Sequence, residues 1–304
     1  MKIGLIVLSL IIILSIVGCD ASNPAVVDDS PPIDVNAQLY DDAGVAHGLD
    51  FINGFPRVST TDYLYSIAEG IIPGHNHWSK HGYTPASTAT QSTLWDVGTE
   101  YVWPVAEQQM EVVSSSINDD VGSTGVTSVK ISYLTSTGVE KTETVTMDGT
   151  TVVPTAASDI YRVNFFTAAS VGASGVAAGN ITIRNLANSP VYSQISAGYT
   201  RSRSAVYTVP DTKTLYITSV ALSAAYKTAG KTVRLTLQAT YDHIANTALG
   251  ANFFMPYSEV MLMDCAYQKE FEIPIVFPEL TDIKVSFIGE TLAQCTVALR
   301  GWEE

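Results

Sequence analysis

Val126-Thr-Ser-Val-Lys-Ile-Ser-Tyr-Leu134 decides the fold class. From Val129 to Tyr133 apolar and polar residues alternate, the period of a strand with one face buried. Working outward, Glu140-Lys-Thr-Glu-Thr-Val-Thr-Met147 is rich in Thr and ends in Asp148-Gly149. That dipeptide predicts a type I′ hairpin turn leading into Thr151-Val-Val153. Further strands are expected at 161–167, 180–184, 205–209, 215–222, 232–239, 271–277, 282–288 and 295–300. Short strands separated by Gly, Asp and Pro argue for an all-β chain of antiparallel sandwiches or jelly rolls rather than a βαβ sheet. One helix is expected, capped by Thr61, running through Asp62–Glu69 and ended by Gly70.

The front of the chain is of another kind. Met1-Lys2 is followed by Ile3–Val17, apolar apart from Gly4, Ser9 and Ser15, and then by Gly18-Cys19. About 15 apolar residues is short for a membrane span and suits a signal segment. Ile16-Val17-Gly18-Cys19 looks like a bacterial lipobox, which would make Cys19 the lipid attachment site and give a membrane anchor. A plain N-terminal anchor with an incidental Cys is the alternative. From Asp20 to Pro56 there are seven Asp and neither Lys nor Arg. This predicts a self-repelling, disordered tether. The expected plan is a signal over 1–19, an acidic flexible tether over 20–57, a β domain with one leading helix over 58–198, and a second β-sandwich domain over 199–304. The inner boundary rests on a composition change near Ala197-Gly198.

Net charge is −14, and the tightest basic cluster is Arg201-Ser-Arg203. Nucleic acid is therefore excluded as a partner. No catalytic motif stands out. There is no Gly-x-Ser-x-Gly, and His243 is isolated. His75, His77 and His81 form the sharpest cluster and are metal candidates, against a plain polar loop; their spacing matches no zinc signature. Asn118-Asp119-Asp120 and Asp96 are calcium candidates without EF-hand spacing. Gly172–Gly179 is Gly-rich but lacks the Lys of a phosphate loop and reads as a turn. Cys265 and Cys295 are a candidate disulfide that export would permit. Trp78, Trp95, Trp103 and Trp302 could build a sugar-stacking face, although Trp95 and Trp103 sit in apolar surroundings that suggest core.

From Thr61 onward the chain resembles a family of β-rich virion structural proteins of environmental, notably marine, tailed phages. The resemblance is carried by Tyr63-Leu-Tyr-Ser-Ile-Ala-Glu-Gly70, Ile72-Pro-Gly-His-Asn-His77, Lys80-His-Gly82 and Leu94-Trp-Asp96. It continues through Ser115–Gly125, Glu143–Thr150, Tyr161-Arg-Val-Asn164, Gly175–Thr182, Gln194–Gly198, Ala205–Thr218 and Leu280–Val285. It implies a non-enzymatic virion component such as a capsid decoration, head fibre or tail-associated protein, without cofactor. Its implied partners are other virion or envelope proteins and, by analogy with fibres, two further copies in a homotrimer; a surface glycan is a separate candidate partner, suggested by the tryptophans. The lipobox departs from that family, because it directs a chain to the cell envelope. An envelope lipoprotein that uses a phage-like β module for binding or adhesion is thus the second reading.

Overall fold

The alternation read from the sequence sets the faces of most strands. A computed structural model describes residues 63–85, 89–226, 231–240, 255–289 and 293–304, with four short strands between 38 and 56. The signal segment with Cys19, residues 20–37 and His243 lie outside the described residues. The chain divides into two units, Met1–Thr60 and Thr61–Glu304.

In the first unit β1 (Gln38–Tyr40) pairs with β2 (Ala46–Gly48), and β3 (Phe51–Ile52) with β4 (Phe55–Pro56), both antiparallel. The stretch expected to be a featureless tether therefore holds two local ladders. Asn53-Gly54, between β3 and β4, is a strong hairpin signal that the acidic composition around it masks.

The second unit opens with α1 (Tyr63–Ala68). Gly70 ends it as expected. Its φ is +71°, its N–H bonds Ile67 O at 3.0 Å, and Ile71 N–H bonds Ser66 O at 2.9 Å, which together form a Schellman cap. Next come β5 (Asn76–Thr84), β6 (Ser92–Thr93), β7 (Met110–Ser114), β8 (Val126–Leu134), β9 (Glu140–Thr146) and β10 (Val153–Pro154). They are followed by β11 (Arg162–Val171), β12 (Ile181–Asn185), β13 (Val191–Ile195), β14 (Val206–Thr208) and β15 (Leu215–Tyr226). The last are β16 (Val233–Thr240), β17 (Met255–Leu262), β18 (Cys265–Phe277), β19 (Asp282–Gly289) and β20 (Ala293–Glu303).

The described pairings are all antiparallel, and the described residues are all-β apart from α1. Sheets β10-β7-β12-β13 and β11-β8-β9 enclose one core, built on Met110, Val129, Ile131, Phe166, Ile181 and Ile183. Sheets β18-β15-β20-β5 and β14-β19-β16-β17 enclose a second, built on Trp78, Leu215, Ile217, Leu235, Phe277, Phe287 and Val297.

Two expectations need correction. The expected first domain, 58–198, is not one body of strands. β5 pairs with β20 from Asn76↔Glu303 to Thr84↔Cys295, and β6 pairs with β19. The second sandwich thus takes strands from both ends of the unit, and the first core, β7 to β13, is inserted between them. The cause lies in β5, whose Trp78, Lys80, Gly82 and Thr84 face inward. At Gly82 a Cβ would come within 2.6 Å of the Ala205 Cβ, so that close approach requires glycine. The second correction concerns Asp148-Gly149. β9 and β10 belong to different sheets, so no hairpin forms there. The turn instead passes the chain from one sheet to the other, with Gly149 N–H bonded to Asp119 O at 2.8 Å.

Candidate functional site

β11 is shared by both cores. Successive strand residues point to opposite faces, so Phe165 packs on the second core while Phe166 is fully buried in the first. Around β11 lies a seam of buried charge. Arg162 grips Asp282 on β19 with Nε–Oδ1 at 3.1 Å and Nη2–Oδ2 at 2.9 Å, and its Nη1 donates to Pro104 O at 2.7 Å. Thr208 Oγ1 donates to Oδ1 of the same Asp282. Asn164 and Thr208 exchange two bonds, Nδ2 to O at 2.8 Å and N–H to Oδ1 at 2.9 Å. Lys80 reaches in from β5 and donates to Asn164 O, its ammonium 4.3 Å from the Phe165 ring centroid. Burial, helped by the charge of Arg201, lowers the pKa of Lys80 to about 7.

Two of the calcium candidates, Asp119 and Asp96, are occupied in this framework. Asp119, fully buried, accepts from Ser114 Oγ at 2.6 Å and from the N–H groups of Val126, Ala178 and Gly179, each at 2.8 Å. It ties the Gly-rich turn between β11 and β12 to the loop after β7. Asp96 is held by Arg203 Nε at 2.9 Å, Arg203 Nη2 at 2.6 Å and Arg203 N–H at 2.7 Å, with Ser196 Oγ at 2.9 Å.

The structure does not bring the histidines together. His75 precedes β5 and pairs through Nε2 with Glu304 at 2.7 Å. His77 and His81 both face outward on β5 but lie two pairs of residues apart, about 13 Å along the strand. Burial, with Arg201 and Arg203 nearby, lowers the pKa of His81. Among the described residues no group of three or more His, Cys, Asp or Glu is arranged to hold a metal ion.

Cys265 and Cys295 are both free. They flank Ala224 from opposite sides, in the registers Ala224↔Cys265 and Ala224↔Cys295. Two strand spacings, about 9.6 Å, therefore separate their Cα atoms, beyond disulfide reach. Trp78 packs in the second core. Trp95 and Trp103 flank Tyr101 in edge-to-face contact, with centroids at 5.2 and 4.9 Å. All four tryptophans are thus buried, Trp302 at 7% exposure and stacked on Tyr216 at 4.9 Å and 9°.

Trp302 borders a place where, among the described residues, uncommitted polar groups converge. It is a trough of about 530 Å³ on the outer face of sheet β18-β15-β20-β5. Two irregularities create it. Thr218 bulges from β15 between Ile217↔Gly301 and Ser219↔Arg300. Opposite the same point β18 arches away, because its pairing jumps from Ser219↔Glu270 to Ile217↔Ile275. The arch carries Glu270, Phe271, Glu272 and Pro274 as one wall, while His77 and Ile67 of α1 form the other. Ser219, Arg300, Gly301 and Trp302 make the floor. A Cβ on Gly301 would lie 1.8 Å from Tyr216 O, so the bulge also demands glycine there.

Glu270, Ser219, Arg300 and Ser79 form one row across four strands. Glu270 and Arg300, on either side of Ser219, are exposed, as are His77 and Glu272. Among the described residues Arg300 makes no ion pair. Glu270 and Glu272 share one wall, whereas a glycosidase pair must flank the scissile bond. Sequence reasoning singles out only His77 and Trp302 here. Pro274, in the middle of an expected strand, is the available signal of the arch.

A scan against protein-family models finds no match, and a search of curated proteins also finds none.

Proposed function

We propose that the protein is a non-enzymatic structural and display protein of phage-virion type, a capsid decoration, head fibre or tail-associated component. The observation that supports this reading is the use made of its buried charge. Arg162 and Asp282 are consumed in bonds that weld β11 to β19 and so the first core to the second, Arg203 just before β14 holds Asp96 just after β6, and Asp119 locks the loops of the first core. Such a body holds a surface at a fixed orientation, which is what a particle-borne or envelope-borne module needs.

The sequence at Cys19 favours a second reading, a lipid-anchored envelope protein that presents the same body. Expression of the intact gene in a Gram-negative host, with Cys19→Ala as control, separates the two. The virion reading expects an unmodified N-terminal peptide and co-sedimentation with purified particles. A diacylglyceryl mass on Cys19, absent in the control, with the chain in the membrane fraction, replaces it by the envelope reading.

A further inference from the structure

We propose that the trough under the β18 arch binds a neutral sugar unit of a glycan. The arch differs in chemistry from the floor and the opposite wall. β20 and β5 present Arg300 and His77, while the arch presents Glu270 and Glu272. A ligand that spans the gap must accept hydrogen bonds on one side and donate them on the other. Sugar hydroxyls do both, and they satisfy a guanidinium and a carboxylate with the same group. Phe271, half-buried against the second core, and Trp302, 7% exposed, line the trough and give it a small apolar surface for the C–H face of a pyranose ring.

Charge selects within that class. Two carboxylates face one guanidinium in the trough, and the chain as a whole carries −14. An anionic sugar would meet net repulsion, whereas a neutral one loses nothing. The volume lies within the range usual for small-ligand sites. Both bulges are set in a regular sheet, so the site is formed before the ligand arrives and little ordering opposes binding. This inference concerns what the surface binds and is independent of where the body is displayed.

Saturation-transfer difference NMR on the full chain tests it, with the methyl glycosides of glucose, galactose, mannose and N-acetylglucosamine as probes and methyl glucuronide as the anionic comparison. At least one neutral glycoside is expected to bind saturably. Arg300→Ala and Glu270→Gln are each expected to raise its Kd about tenfold, the loss of one charge-assisted hydrogen bond. Lys130→Ala, an exposed change on the other core, is expected to leave Kd unaltered. Thermal midpoints equal to that of the parent establish that the variants are folded, and His77→Gln serves in place of either that is not. The proposal is overturned if no neutral glycoside saturates, if binding survives both trough variants, or if the glucuronide binds more tightly than the glucoside.

Discussion

Charged side chains behave in opposite ways at the seam and in the trough. At the seam Arg162 and Asp282 are 3% and 4% exposed at the side chain and satisfy each other through two bonds. In the trough Arg300 and Glu270 sit in one register row, exposed, with Ser219 between them. Buried ions lose hydration that only well-made partners replace, so the seam must be complete in every bond or the fold suffers. Exposed ions keep their water and contribute little to stability. The difference shows where the molecule is committed and where it remains free to engage something else.

Breaking the seam should produce the largest effect. Asp282→Ala leaves the Arg162 guanidinium buried without its carboxylate, with an expected loss of about 3–5 kcal/mol in urea denaturation. The double variant Arg162→Met/Asp282→Leu, which removes both charges, should recover most of that loss. A single variant as stable as the parent would show that the seam is not what joins the cores.

Lys80 is the exception within the seam, because its described contacts are a carbonyl and two rings rather than a carboxylate. Burial first, and Arg201 second, lower its pKa from 10.5 to about 7. The unfolded chain therefore holds a proton that the folded chain releases between those values. Stability should rise with pH across this window, by up to about 1.4 kcal/mol per unit, and be flat with respect to Lys80 below about 7. Lys80→Met should abolish the rise between pH 7 and 9.5 and stabilise the protein at neutral pH. Parallel denaturation curves for parent and variant across that range would refute a buried, proton-releasing lysine.

The same contrast explains what is legible in the sequence. Period-two alternation marks β8 and β15 because a half-buried strand imposes it, whereas β19 alternates with both faces buried, its Asp282, Lys284 and Ser286 bonded to Arg162, Glu100 and Gln238. The class therefore follows from local pattern. The placement of β5 does not. Its nine residues bond to β20, more than two hundred positions away, and nothing local records that partner. The insertion of one core into the other is hidden for the same reason. Asp96 and Asp119 are visible as acidic residues, but their role depends on Arg203 and on the turn at Ala178-Gly179, which only the fold brings near. Asn53-Gly54 and Pro274 are legible signals set against stronger ones, the first by the acidic composition around it and the second by the apolar run it interrupts.

The smallest expected effect sharpens the comparison most. If Arg300 and Glu270 are uncommitted, Arg300→Ala and Glu270→Gln should each change stability by no more than about 0.5 kcal/mol, the usual range for surface changes away from structural features. The same two changes are those expected to weaken glycoside binding about tenfold. Residues that serve a fold and residues that serve a ligand are distinguished by that separation of readouts, so both must be measured on the same preparations. A stability loss approaching that of Asp282→Ala would place Arg300 in the framework after all, as a further tie across the β15 bulge. A binding loss at unchanged stability would leave the trough as the part of this surface whose charges answer to something outside the chain.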